Sequence, residues 1–223
     1  MNREAGMDAA SYRTRLAYGA AFAVAMAFVE AAVVVYLRQI FYPDGFYFPL
    51  KTMTDGLIGV EFGRELATVV MLWTAAWLSG KIIWERFGYF LFLFGVWDIF
   101  YYVWLKMAID WPASLFDWDI LFLIPLPWIG PVIAPIVISL LMIIFGYLII
   151  RLYARGQTIR PNLFSWIVSV IGTAAILFSF IRDTDATLDQ EIPQPYLYSF
   201  LLLGLICYLI AFVPLYRRRR IAG

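Results

Sequence analysis

Five ionisable side chains fall inside stretches that are otherwise apolar: Glu30, Glu61, Arg64, Glu65 and Asp98. In lipid each such group costs on the order of 2.5–3.5 kcal/mol at mid-membrane, so together they must face the interior of a bundle. Glu61 and Glu65 are four apart and share a helix face, which Arg64 borders. A guanidinium grips carboxylates in a bidentate fork, so Arg64 is the natural partner of these acids. One Arg does not neutralise four acids. The rest need a proton, water or a bound cation. Asp98, Tyr101 and Tyr102 lie on one helix face, so the Tyr hydroxyls are expected to donate to the Asp98 carboxylate. Glu30, Glu61, Arg64, Glu65, Asp98, Tyr101 and Tyr102 are therefore the candidate site for a cation, a proton or a small cationic ligand. Oxygen-only donors suit a hard divalent ion, with Glu61, Glu65 and Asp98 as candidate ligands. Asp98, protonated, is also a candidate general acid.

A plainer reading stands beside this one. Buried polar groups glue membrane helices together by about 0.6–2 kcal/mol each, and Trp and Tyr collect at membrane interfaces anyway. Ala23, Ala27 and Ala31, and Gly172 with Ser165, Ser169 and Thr173, read as close helix packing. The chain has no His and a single Cys, Cys207. That excludes His-ligated haem, His-ligated metal and Ser-His-Asp chemistry. No phosphate loop, dinucleotide fingerprint or metal-ligating Cys pair is present, and nothing points to nucleic acid.

The elements that must position these residues are membrane helices. Of 223 residues, 63% are hydrophobic and 15% charged, against roughly 25% charged in soluble domains. Six runs approach the ~20 apolar residues a span needs, at about 16–37, 57–79, 87–105, 129–150, 163–181 and 196–216. The expected fold is an all-α polytopic membrane bundle forming one domain over residues 1–223. Before the fourth span, Pro125, Pro127, Pro131 and Pro135 interrupt the apolar run. Residues 120–150 as one helix would be about 46 Å long, too long for the hydrocarbon. Residues 119–130 are therefore expected to form a short interfacial or re-entrant segment, with the span after Gly130.

Lys and Arg alternate between the two sides. Arg3, Arg13, Arg15, Lys81, Arg86, Arg151, Arg155, Arg160 and Arg217 to Arg220 fall on one side with Glu4, Asp8 and Glu85. Arg38, Lys51, Lys106 and Arg182 fall on the other, with Asp44, Asp55, Asp110, Asp117, Asp119, Asp183, Asp185, Asp189 and Glu191. The positive-inside rule then places both termini in the cytoplasm of a multi-pass protein of a bacterial inner membrane. The Arg-rich C-terminus is expected to meet anionic lipids.

The run "FGVWDIFYYVWLK…WPASLFDWDILFLIPLPWIGPV" resembles an uncharacterised family of small polytopic bacterial membrane proteins, most densely over residues 84–135. That resemblance implies no activity. Trp97-Asp98 is similar to the Trp–acid pair in a span of membrane-bound terpene cyclases. Here Asp replaces their Glu and their preceding Asn is absent, so no activity follows. Three expectations result: a cation, proton or cationic-ligand site; an intramembrane acid-dependent enzyme on a prenyl or lipid-like substrate; or a structural subunit of a membrane complex.

Overall fold

The computed structural model describes residues 2–48, 55–124, 126–159, 161–189, 191–217 and 220–221. Lys51, Pro125, Arg160, Arg218 and Arg219, used in the sequence argument, lie outside them. The long helices are α1 (Asn2–Phe41), α2 (Asp55–Ser79), α3 (Ile83–Ile109), α4 (Ile133–Ala154), α5 (Leu163–Ile181) and α7 (Tyr198–Arg217), with a short α6 (Asp185–Leu188). Five of them are long and apolar enough to cross a membrane. The exception is α2, where Glu61, Arg64 and Glu65 crowd into its 25 residues.

The Pro-rich segment before the fourth span is not helical. It is an antiparallel β-hairpin of β1 (Trp118–Phe122) and β2 (Trp128–Pro131), with a register irregularity between Ile120 and Phe122. The expectation of an all-α chain is corrected to this extent. Pro cannot supply the donors a helix needs, whereas a hairpin pairs its remaining backbone groups with itself. Pro135 sits in the first turn of α4, where the N–H has no intrahelical partner anyway. The span begins just after Gly130, as expected.

Helices approach closely where side chains are small. A Cβ at Gly95 of α3 would stand 2.5 Å from Ser139 O of α4, so only Gly permits this crossing. Between α5 and α7, a Cβ at Gly172 would meet Cys207 Cβ at 2.9 Å. Ala23, Ala27 and Ala31 are buried along α1, and Trp104 Nε1 of α3 donates to Val24 O at 3.0 Å. The small-residue packing expected in α1 and α5 is therefore present. At the C-terminus, β4 (Arg220–Ile221) pairs antiparallel with β3 (Gln157–Thr158), which follows α4.

Candidate functional site

Helices α1, α2 and α3 leave a space between them. With the hairpin and parts of α4 and α5 they enclose a cavity of about 340 Å³. All seven candidate residues line it: Glu30 from α1, Glu61, Arg64 and Glu65 from α2, and Asp98, Tyr101 and Tyr102 from α3. The carboxylates are almost wholly buried, Glu30 and Glu61 at 5% exposure and Asp98 at 9%.

Arg64 is the hub of the α1–α2 contact. Its Nε and Nη2 reach Glu61 Oε2 at 2.9 and 2.8 Å, and its Nη1 donates to Glu30 Oε2. Thr68, one turn further along α2, donates to the other Glu30 oxygen. Both oxygens of Glu30 are thus engaged.

Glu65 makes no ion pair within 4 Å among the described residues. It accepts from the backbone N–H of Leu123, at 3.0 Å on one oxygen and 2.8 Å on the other. Leu123 directly follows β1, where the chain leaves its hairpin partner. A non-helical N–H at this depth needs an acceptor, and the Glu65 carboxylate supplies it.

Asp98 differs from its expected setting. Neither Tyr on its own helix donates to it. Its Oδ2 accepts from Ser139 Oγ of α4 at 2.8 Å, and among the described residues Oδ1 has no hydrogen-bond partner. Tyr102 instead donates to Asp119 Oδ2 at 3.2 Å. Tyr101 stacks on Trp97 and meets Tyr102 edge-on, at 6.5 and 5.0 Å between ring centroids. Shared helix face puts Asp98 and Tyr102 near each other, but the hairpin brings a second acid within the hydroxyl's reach.

That acid belongs to a pair, Arg38 and Asp119, that the sequence placed among the charges on one side of the membrane. Arg38 and Asp119 are buried on the cavity wall, joined at 3.0 Å, so Arg64 is not the only buried base. Arg38 also lies over the rings of Trp111 and Phe46, at 3.6 and 4.3 Å. Burial pushes the Asp119 carboxyl above its ordinary value, against the pull of Arg38 and the Tyr102 hydroxyl. Signals for this pair existed. Arg38 is eight residues from Glu30, roughly two turns along the same face. Thr68 likewise follows Glu61 and Glu65 by seven and three. Nothing in the sequence singled out Ser139.

Among the described residues, the cavity lining thus carries five carboxylates, Glu30, Glu61, Glu65, Asp98 and Asp119, against two guanidinium groups. Aromatic rings supply much of the remaining wall, including Phe94, Trp97, Phe122, Trp128 and Phe180. Among the described residues, no three acidic, His or Cys side chains gather into a group able to hold a metal ion. Arg64 holds Glu30 and Glu61 together, while the Leu123 N–H engages Glu65 and Ser139 engages Asp98.

The opposite end of the bundle has a smaller cavity, about 190 Å³, lined by Arg15, Lys81, Glu85 and residues around Gly156. Arg15 Nη2 lies 3.5 Å from Glu85, and Glu85 accepts from Lys81 N at 2.7 Å.

Compared with known proteins, the chain matches no family model, no curated protein and no solved structure. A membrane-type helical chain with a carboxylate-rich, aromatic-walled cavity is therefore as far as fold and geometry carry the description.

Proposed function

We propose that the protein binds an organic cation within the membrane, in the cavity between α1, α2, α3 and the hairpin. The observation that carries this reading is the excess of buried carboxylates over guanidinium groups on an aromatic wall. Carboxylates supply long-range attraction, and ring faces recognise a weakly hydrated cation. Among the described residues no three acids gather on one centre, which favours an organic cation or proton over a hard divalent ion that requires several oxygens. Conduction or coupled transport through the same cavity would use the same acids.

Isothermal titration of the full-length protein in lipid nanodiscs with octyltrimethylammonium tests the reading. Wild type should bind, and Asp98→Asn should weaken binding about tenfold, or 1.4 kcal/mol. Binding that is absent, or equal in Asp98→Asn, contradicts the proposal. Added Mg or Ca should not compete.

A second reading is supported by the Asp98 Oδ1 atom, which has no partner among the described residues and belongs to a cavity-lining acid beside Trp97. An acid so placed, once protonated, suits proton donation to a prenyl or other lipid-like substrate, with ring faces stabilising a cationic intermediate. Lipid extracts of an expressing host would then gain or lose an isoprenoid. Unchanged extracts with the protein present would speak against it.

The topology proposed with this function is six crossings of a bacterial inner membrane, with both termini cytoplasmic. Although Glu61, Arg64 and Glu65 interrupt the apolar run of α2, its 25 residues span about 37 Å at 1.5 Å each, and these charged groups line the cavity. The main cavity then opens to the outside, and the Arg-rich C-terminus faces anionic lipid. Thiol labelling of single Cys variants at Asp44 and Arg155 from either side checks the orientation. Asp44 should label from outside and Arg155 from inside.

A further inference from the structure

Three N–H donors on residues of the cavity wall are buried and have no acceptor among the described residues: Arg38 Nη1, Trp97 Nε1 and Trp128 Nε1. Buried donors in folded proteins almost always find a partner, in the protein, in water or in a ligand. None of these three groups can accept a hydrogen bond, so each needs an oxygen brought to it. The carboxylates nearby are committed elsewhere: Asp119 to Arg38 Nη2 and Tyr102, Glu65 to Leu123 N, and Asp98 Oδ2 to Ser139.

The donors are not mixed evenly with the Glu30–Arg64–Glu61 cluster. Arg38 lies eight residues beyond Glu30 on α1, about 12 Å along the helix axis at 1.5 Å per residue. Trp97 and Trp128 flank the same ring of the hairpin, Phe122, at 6.4 and 5.8 Å between centroids. The wall therefore has acids that attract positive charge and, apart from them, N–H groups that ask for an acceptor. An anionic acceptor is disfavoured, because Arg38 is already neutralised by Asp119 and acids outnumber bases around the cavity.

We infer that the ligand is an elongated organic cation carrying, besides its charged nitrogen, an uncharged acceptor oxygen, a hydroxyl, ether or carbonyl. This rests on the cation-binding reading above and specifies its ligand class. The nitrogen lies against the acids and ring faces, and the oxygen takes the indole and guanidinium N–H groups that the protein leaves unpaired.

The test compares octyltrimethylammonium with 8-hydroxyoctyltrimethylammonium on the full-length protein in nanodiscs, each corrected for partition into empty nanodiscs. Wild type should bind the hydroxylated probe about tenfold more tightly, the scale of one well-made hydrogen bond. In the double variant Trp97→Phe/Trp128→Phe, which keeps an aromatic ring at both positions and removes both N–H groups, the ratio of the two affinities should fall below about twofold, whatever the change in ring face does to the alkyl probe itself. Equal affinity of wild type for the two probes overturns this inference and leaves the cation reading standing. A preference that survives in the double variant overturns the assignment of the oxygen to the indole donors. Failure of both probes to bind wild type overturns the inference together with the reading beneath it.

Discussion

Between α5 and α7, helices are held by neutral, small contacts. Gly172 and Gly204 let the backbones approach, Ser165 Oγ donates to Ala211 O at 3.0 Å, and Thr173 meets Tyr208 at 2.7 Å. Between α1 and α2 the described polar contacts join Glu30 to Arg64 and Thr68, and at the other end Arg15 to the Ser79 carbonyl. Along the outer half of α2, Gly56, Gly59 and Gly63 have nothing within 4 Å of an added Cβ. The first pair shows that this chain can join membrane helices without burying charge. Burying charge carries a desolvation cost that mutual attraction only offsets when geometry is good. Arg64 offsets Glu30 and Glu61, and Arg38 offsets Asp119. Glu65 has a structural task at Leu123. Asp98 has only a Ser hydroxyl, which an Asn would accept from equally well. Helix cohesion therefore leaves Asp98 least explained, and it is the residue on which a functional account turns.

The widest gap between the two regions should come from Arg64→Met, which leaves Glu30 and Glu61 buried without their counter-charge. Removing one partner of a buried pair typically costs about 3–5 kcal/mol. Reversible unfolding in mixed micelles should show a loss of that size. The triple variant Glu30→Gln/Glu61→Gln/Arg64→Met should recover most of it, because no charge is then stranded. Overpacking the neutral region by Gly172→Leu should cost about 1–3 kcal/mol by the same assay. Affinity for octyltrimethylammonium should not change, since the α5–α7 contact lies away from the acids. A loss of affinity there would mean that the two regions are not separable.

Smaller effects sharpen the contrast further. Glu65→Gln keeps an acceptor for Leu123 N but weakens a charge-assisted bond, so about 1 kcal/mol should be lost. Hydrogen exchange should rise at Leu123 before it rises in α3. Thr173→Val removes one interhelical hydroxyl contact and should cost only about 0.6 kcal/mol.

Much of the site was legible in the sequence because lipid makes charge expensive. Glu30, Glu61, Arg64, Glu65 and Asp98 had to turn inward, and reading their depth along successive spans brought them to one level. They do line one cavity. Helix periodicity gave a face for Tyr102 but not the element across from it, so its partner was misjudged as Asp98 when the hairpin presents Asp119. Arg38 and Asp119 were counted among the charges on one side of the membrane because both lie just outside the apolar runs. Aromatic cover from Phe46 and Trp111 holds Arg38 in place instead. Pro125, Pro127, Pro131 and Pro135 argued against a continuous helix over residues 120–150, yet no period-2 pattern announced a hairpin. Its form depends on Glu65 accepting from Leu123 N, a contact 58 residues away in sequence.

The central claim is that the outer cavity receives a cation. The most direct measurement is anomalous scattering from crystals of the protein with an 8-bromooctyltrimethylammonium probe. The account predicts a bromine peak in the cavity, with the trimethylammonium group within about 6 Å of a ring centroid among Trp97, Tyr101 and Phe122 and facing the Asp98 carboxylate. It also predicts loss of that peak in Asp98→Asn crystals grown at the same probe concentration. A cavity without probe, or a peak undiminished by Asp98→Asn, would contradict it.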